Sequence, residues 1–334
     1  MPETRPETRH DVVGIGNAIV DVLAHADDGF LAREGLAKGT MALIDAERAD
    51  TLYGRMGPGI EMSGGSAANT MAGIASLGGR AAYIGKVRDD ALGGIFRHDI
   101  TAAGVTFATP PATAGAATAR CLILVTPDAQ RTMSTYLGAC VDLGPDEVDE
   151  ATVAGAAVTY LEGYLFDPPK AREAFVRAAR LARKNGRKVA LSLSDPFCVD
   201  RHRGAFRAFV RDHVDVLFAN EVEVLSLTGA VDFDGALQAI RATVPTAVLT
   251  RSAKGSVVVA GAEVHVIDAA PVARVVDTTG AGDLYASGFL HGLTAGRDLA
   301  ACGRLGALAA AEVIGHFGAR PETPLAEYVR RHFA

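Results

Sequence analysis

A basic surplus is missing from this chain: 33 lysines and arginines stand against 39 aspartates and glutamates, a formal net charge of −6 over 334 residues. Binders of nucleic acid or of membrane surfaces want basic patches, so the balance argues against both kinds of partner. Cysteine is scarce. Cys121, Cys140, Cys198 and Cys302 are scattered without a CxxC pair, which argues against a disulfide framework or a structural zinc and for a reducing compartment. No apolar run reaches membrane-spanning length, and Met1 to His10 is polar and charged where a signal peptide would have an apolar core. A cytoplasmic location is the expectation. The common catalytic signatures are also missing. The nine histidines form no HxxxH or HxxEH, and there is no Gly-x-Ser-x-Gly elbow and no GxxxxGK[ST] loop. Gly14-Ile15-Gly16 begins a dinucleotide fingerprint, but Ile19 stands where the third glycine belongs, which disfavours a nicotinamide-dependent oxidoreductase.

What is present is globular: 49% hydrophobic and 22% charged residues, in a length that suits one large domain with an appendage, or two domains. Residues 1–10 read as a disordered tail, followed by a strand from Asp11 toward Ile19. From Val158 onward apolar runs alternate with amphipathic helical segments, the pattern of a largely parallel sheet covered on both faces. Two regions break the rhythm. Residues 22–62 mix short apolar segments with glycines, and residues 105–140 hold a hairpin signal, Arg120 to Thr126 and Arg131 to Tyr136 around Pro127-Asp128-Ala129-Gln130. Together they suit a small second sheet.

The stretch with the plainest chemistry is Asp277-Thr278-Thr279-Gly280-Ala281-Gly282-Asp283. The β-branched run Val272 to Val276 precedes it and a helical pattern follows, so it reads as strand, glycine-rich turn, helix start. That arrangement gathers free N–H groups and a positive helix end into an anion site. Asp283 inside it either complements the helix dipole, worth about 0.3–1 kcal/mol, or takes a proton from an attacking hydroxyl.

Other candidates sit at similar junctions. Gly64-Gly65 precedes a small-residue helix that carries Asn69 one turn in, where paired glycines admit close approach of a ligand. Asn17 and Asp21 follow the first strand at an end where open α/β sheets bind ligands, though locally a turn with an Asx bond is the simpler reading. Asn220 and Glu223 share a helix face and suit magnesium held mostly through water, or form a capping box. Thr250-Arg251-Ser252-Ala253-Lys254-Gly255 is a polar turn that suits a nucleotide or a surface hairpin.

Taken in order, these pieces resemble the PfkB (ribokinase-like) family of carbohydrate and nucleoside kinases. The likeness rests on two signatures: Gly64 to Asn69 running on through Gly85-Lys86-Val87-Arg88-Asp89-Asp90 to Gly93, and Asp277 to Asp283. It implies an α/β fold with a doubly wound, mostly parallel sheet and a small β-sheet lid drawn from about residues 22–62 and 105–137, all within one kinase domain over 11–334. It implies transfer of the ATP γ-phosphate to an alcohol, with Asp283 as base and the Gly280-Ala281-Gly282 turn as anion hole. Asn17, Asp21, Gly64, Gly65 and Asn69 match positions that hold sugar hydroxyls. Thr250, Ser252, Lys254, Gly255, Thr278 and Ala311 match the nucleotide side, as does Asn220, which with Glu223 organises Mg2+. Activation by a monovalent cation such as K+, and a monomer or a homodimer, both suit the family. Arg88 and Ser252 stand where the family usually has glycine. The runs Arg131 to Ala139 and Gly315 to Pro321 resemble bacterial adenosine or sugar kinases, which favours a nucleoside acceptor, with Tyr136, Met133 or Phe166 as a shelf for the base. A bare sugar, or a silent sugar- or nucleotide-binding regulator on the same fold, are the alternatives.

Overall fold

The computed structural model describes residues 8–128 and 130–333, so residues 1–7 of the expected tail and Ala129 of the expected hairpin lie outside the described residues. Among the described residues the strands are, in chain order, His10–Ile15 (β1), Ile19–His25 (β2), Met41–Leu43 (β3), Gly59–Gly64 (β4), Ala81–Ile84 (β5), Thr106–Phe107 (β6), Ala119–Val125 (β7), Arg131–Tyr136 (β8), Ala156–Glu162 (β9), Lys188–Ser192 (β10), Val216–Asn220 (β11), Thr246–Thr250 (β12), Ser256–Ala260 (β13) and Glu263–Ile267 (β14). Nine form one sheet in the order β14-β13-β12-β11-β10-β9-β1-β5-β6. It is parallel from β12 to β6, and β13 and β14 add antiparallel strands at one edge. The apolar runs read as strands are the central ones. Val13, Leu161, Leu191, Leu217 and Leu249 point into one helix-covered core, while Val12, Tyr160, Ala190 and Val248 point into the other. Alternation of side chains across a strand buried on both faces explains the division.

The remaining five strands form a second sheet, β3-β8-β7-β2-β4. Its outer face carries Val20, Val22, Ala24, Leu122 and Leu124, packed under the helices Asp28–Arg33 and Ala46–Arg55 through Leu31 and Leu52. Each fully buried leucine contributes about 1.5–3 kcal/mol. Its inner face presents Ile19, Asp21, Cys121, Ile123, Met133 and Thr135, brought level by the pairing of Asp21 with Cys121 and of Cys121 with Thr135.

The structure corrects the sequence reading in three places. His10, assigned to the tail, opens β1 and pairs with Ala156. The helix expected at 204–210 runs from Pro196 to His213, because Asp195 caps it by accepting from Cys198 N and proline suits the first turn. Val272 to Val276 is not a strand. The run bonds through Val276 N to Ile314 O, and Val275 is 53% exposed, so a β-branched composition without a sheet neighbour leaves it irregular.

Candidate active site

The carboxyl ends of β1, β9, β10, β11 and β12 open into a cavity of about 940 Å³ roofed by the inner face of the small sheet. Ligands of open α/β sheets bind at this end. Its floor includes Thr278 to Asp283, Gly65, Ser66 and Asn69, and its walls include Asn17, Asp21, Glu162, Asn220, Glu223, Thr250 and Ser252.

Asp283 lies in the first turn of the helix Ala281–Thr294, whose cap is Gly280 at φ +76°. Ser66 Oγ donates to its Oδ1 at 2.6 Å and Asn69 Nδ2 to its Oδ2 at 3.1 Å. Burial raises its carboxyl above the usual range, against the pull of those two bonds and of the Arg320 charge. Asn69 keeps its Oδ1 buried and without a partner, an acceptor open to a ligand hydroxyl. Asp21 faces the same space from β2. A Cβ on Gly64 would lie 2.3 Å from Asp21 Oδ2, so glycine is what lets the strand pass this carboxylate. Gly65 has φ +93°, and a Cβ there would meet Asn17 O at 2.1 Å. Burial pushes Asp21 up to about 7, opposed by Arg320 and Arg131.

Asn220 and Glu223 form the capping box in full and also line the cavity. Asn220 Oδ1 accepts from Glu223 N, and the Glu223 carboxylate accepts from Asn220 N and Nδ2 at 2.9 and 2.8 Å. Burial raises Glu223 to about 7. One carboxylate and one amide, both oxygen donors with lone pairs to spare, fit a magnesium ion that keeps most of its waters.

Not every expected residue reaches the cavity. Tyr136 falls on the outer face of the small sheet, where Arg120 lies over its ring at 6.0 Å, because β8 alternates and Met133 and Thr135 take the inner face. Phe166 is stacked on Phe206 at 3.7 Å in the core. Lys254 is exposed at its turn, Gly255 turns back against Ile267 O, and Ala311 is buried within the helix Leu299–Val313. The Arg88 guanidinium ends on the Gly115 carbonyl, and Ser252 takes φ +52°, the conformation a glycine would supply.

Several contributors carry no sequence signal of their own. Glu162, 1% exposed, accepts from Asn17 N, Asn17 Nδ2 and Ala67 N at 3.3, 2.8 and 2.8 Å, and burial lifts it to about 7. Arg131 reaches from β8 to pair with Asp277 and donates to Thr279 Oγ1 at 2.6 Å. Tyr164 and Phe197, 38% and 71% exposed, form an aromatic wall of the cavity.

The sequence pattern of the pfkB family of carbohydrate kinases matches residues 55–326. The chain belongs to that family. It is thus a phosphotransferase that acts on hydroxyl groups. The kinase is 55% identical to the adenosine kinase from Sinorhizobium meliloti, with a TM-score of 0.90 over 97% of this chain and 99% of that one. To the probable sugar kinase protein from Rhizobium etli CFN 42 it is 53% identical, with a TM-score of 0.91 over 97% and 98%. The adenosine kinase of Saccharomyces cerevisiae is 29% identical over 310 residues, 86% of this chain and 90% of the yeast protein. Among the described residues no helix is long and apolar enough to cross a membrane.

Proposed function

We propose that this kinase transfers the γ-phosphate of ATP to a ribose hydroxyl of a purine nucleoside, with Asp283 as the general base. The observation that carries the nucleoside reading is the apolar and aromatic part of the cavity lining. Met41, Ile123, Met133 and Leu137, from the small sheet and the turn after it, and Tyr164 and Phe197, from the segments after β9 and β10, all line the cavity. A flat base gains from such apolar and aromatic contact, whereas a bare sugar, edged with hydroxyls, has less apolar surface to bury.

Asn17, Asp21 and Asn69 hold the ribose hydroxyls, and the unpartnered Asn69 Oδ1 supports this. Asp283, kept in place by Ser66 and Asn69, takes the proton as the hydroxyl attacks. Asp283 has to be ionised for that, so activity falls in acid as its raised carboxyl protonates. The N–H groups of the 280–282 turn receive the charge that builds on the transferred group. Thr250, Ser252 and Thr278 line the nucleotide end. Magnesium supplies charge neutralisation between the phosphates, and Asn220 and Glu223 would hold it through water. The small sheet serves as a lid, excluding water that would otherwise take the phosphoryl group.

ADP release measured against adenosine, other nucleosides, ribose, fructose and fructose phosphate tests the assignment. A purine nucleoside is expected to give the highest kcat/KM. Preference for a free sugar, in keeping with the Rhizobium etli relative, would overturn the nucleoside reading and leave the kinase reading intact.

A further inference from the structure

We propose that Arg320, a half-buried residue, is a positioning residue of the phosphoryl-transfer site, a cation that braces the acceptor pocket and offsets the negative charge gathered there. The inference rests on the reading of Asp283 as base. Arg320 lies in the irregular segment after the helix Leu299–Val313, between the anion turn and the end of β4. On one side its neighbour Ala319 abuts the turn that carries Asp283, since a Cβ on Gly280 would sit 2.8 Å from Ala319 Cβ. On the other side Arg320 Nη2 donates to Ser63 O at 2.9 Å and to Ser63 Oγ at 3.0 Å, one residue before the Gly64 that touches Asp21. Ser63 N and Oγ donate in turn to Asp99 Oδ2 at 2.7 and 2.6 Å. Arg320 Nε is buried without a partner, so hydrogen bonds use only part of this guanidinium.

The charge balance around the base gives that cation its task. The Asp283 charge pushes up Asp21 from β2, Tyr160 and Glu162 from β9, Tyr164 just beyond and Glu223 from the helix Glu221–Thr228, while the charge that lowers Asp283 itself is Arg320. All but Arg320 are acids or phenols. Burial raises both Asp21 and Asp283, and Arg320 opposes the rise in both. Without it the pocket would gather carboxylates with less to keep them ionised, and a protonated Asp283 cannot accept the hydroxyl proton.

The test is kcat/KM as a function of pH at saturating MgATP, with adenosine or whichever acceptor the screen returns, for wild type, Arg320→Gln, Arg320→Lys and Ser63→Ala. Glutamine keeps a donor for Ser63 and removes the charge. The acid limb of Arg320→Gln is expected to move up by about one pH unit, so that activity on that limb falls about tenfold while the alkaline plateau survives. Lysine should return the limb toward its wild-type position, and Ser63→Ala should leave it in place. A uniform fall at every pH with the limb unmoved, or no change at all, overturns the proposal. Should Arg320→Gln fail to fold, recovery of folding in Arg320→Gln/Asp283→Asn supports charge compensation, and continued misfolding overturns it. A fully active Asp283→Asn sinks the base reading itself. An inactive Asp283→Asn beside an unmoved limb in Arg320→Gln sinks this inference alone.

Discussion

Arg131 of the small sheet is ion-paired with Asp277, the first residue of the anion turn, and both side chains are nearly sealed from solvent. Asp277 also accepts from Thr279 N and Gly318 N, each at 3.0 Å. One carboxylate therefore ties together the roof of the cavity, the turn beneath it and the loop behind the turn. Removing one partner of such a buried pair leaves the other uncompensated, at a cost of about 3–5 kcal/mol. Arg131→Met and Asp277→Asn should each lower the unfolding midpoint in denaturant, while the double variant recovers much of the loss without recovering phosphoryl transfer. Single variants as stable as wild type would show that the pair contributes little.

Burial gives Glu162 a pH-dependent contribution to stability. Its ordinary value of 4.5 is lifted to about 7 by burial, against the three N–H donors that hold it. The stability of the protonated form is fully present below 4.5 and is lost as pH rises through about 7. Relative to wild type, Glu162→Gln should become progressively more stable across that interval, read as the difference in Tm between the two proteins at matched pH. A difference that stays constant with pH contradicts the shift.

Gly64 passes the Asp21 carboxylate too closely for any side chain. Gly64→Ala must push either the β4 end or Asp21 aside, and a displacement on the order of 1 Å at a reacting site costs about 10²-fold in rate. The expected result is a fall of that order in kcat/KM for the acceptor with KM for ATP little changed. An equal loss on both substrates would point to general damage to the fold.

How much of this was legible beforehand depended on whether the signal was local. Asp277 to Asp283, Gly64-Gly65-Asn69 and Asn220/Glu223 are each compact, and the fold brings all three groups to one cavity. The alternation after Val158 was equally clear, because buried parallel strands are continuous apolar runs. Glu162 was invisible, being a single acid at the end of an apolar strand whose partners lie 145 and 95 residues away. Arg320 and Arg131 act across 257 and 148 residues. Tyr136 went astray on parity, since a one-residue shift in a strand moves a side chain to the other face. Val272 to Val276 went astray because β-branched composition says nothing about whether a neighbouring strand is there to pair with it.

The most direct test of the central claim is the rate of ADP formation by Asp283→Asn, which keeps the size of the side chain and a partner for Ser66 while abolishing the base. A folded protein that still binds acceptor and ATP is expected, with kcat lowered by about 10²–10⁴-fold. Turnover close to wild type in that variant would contradict it.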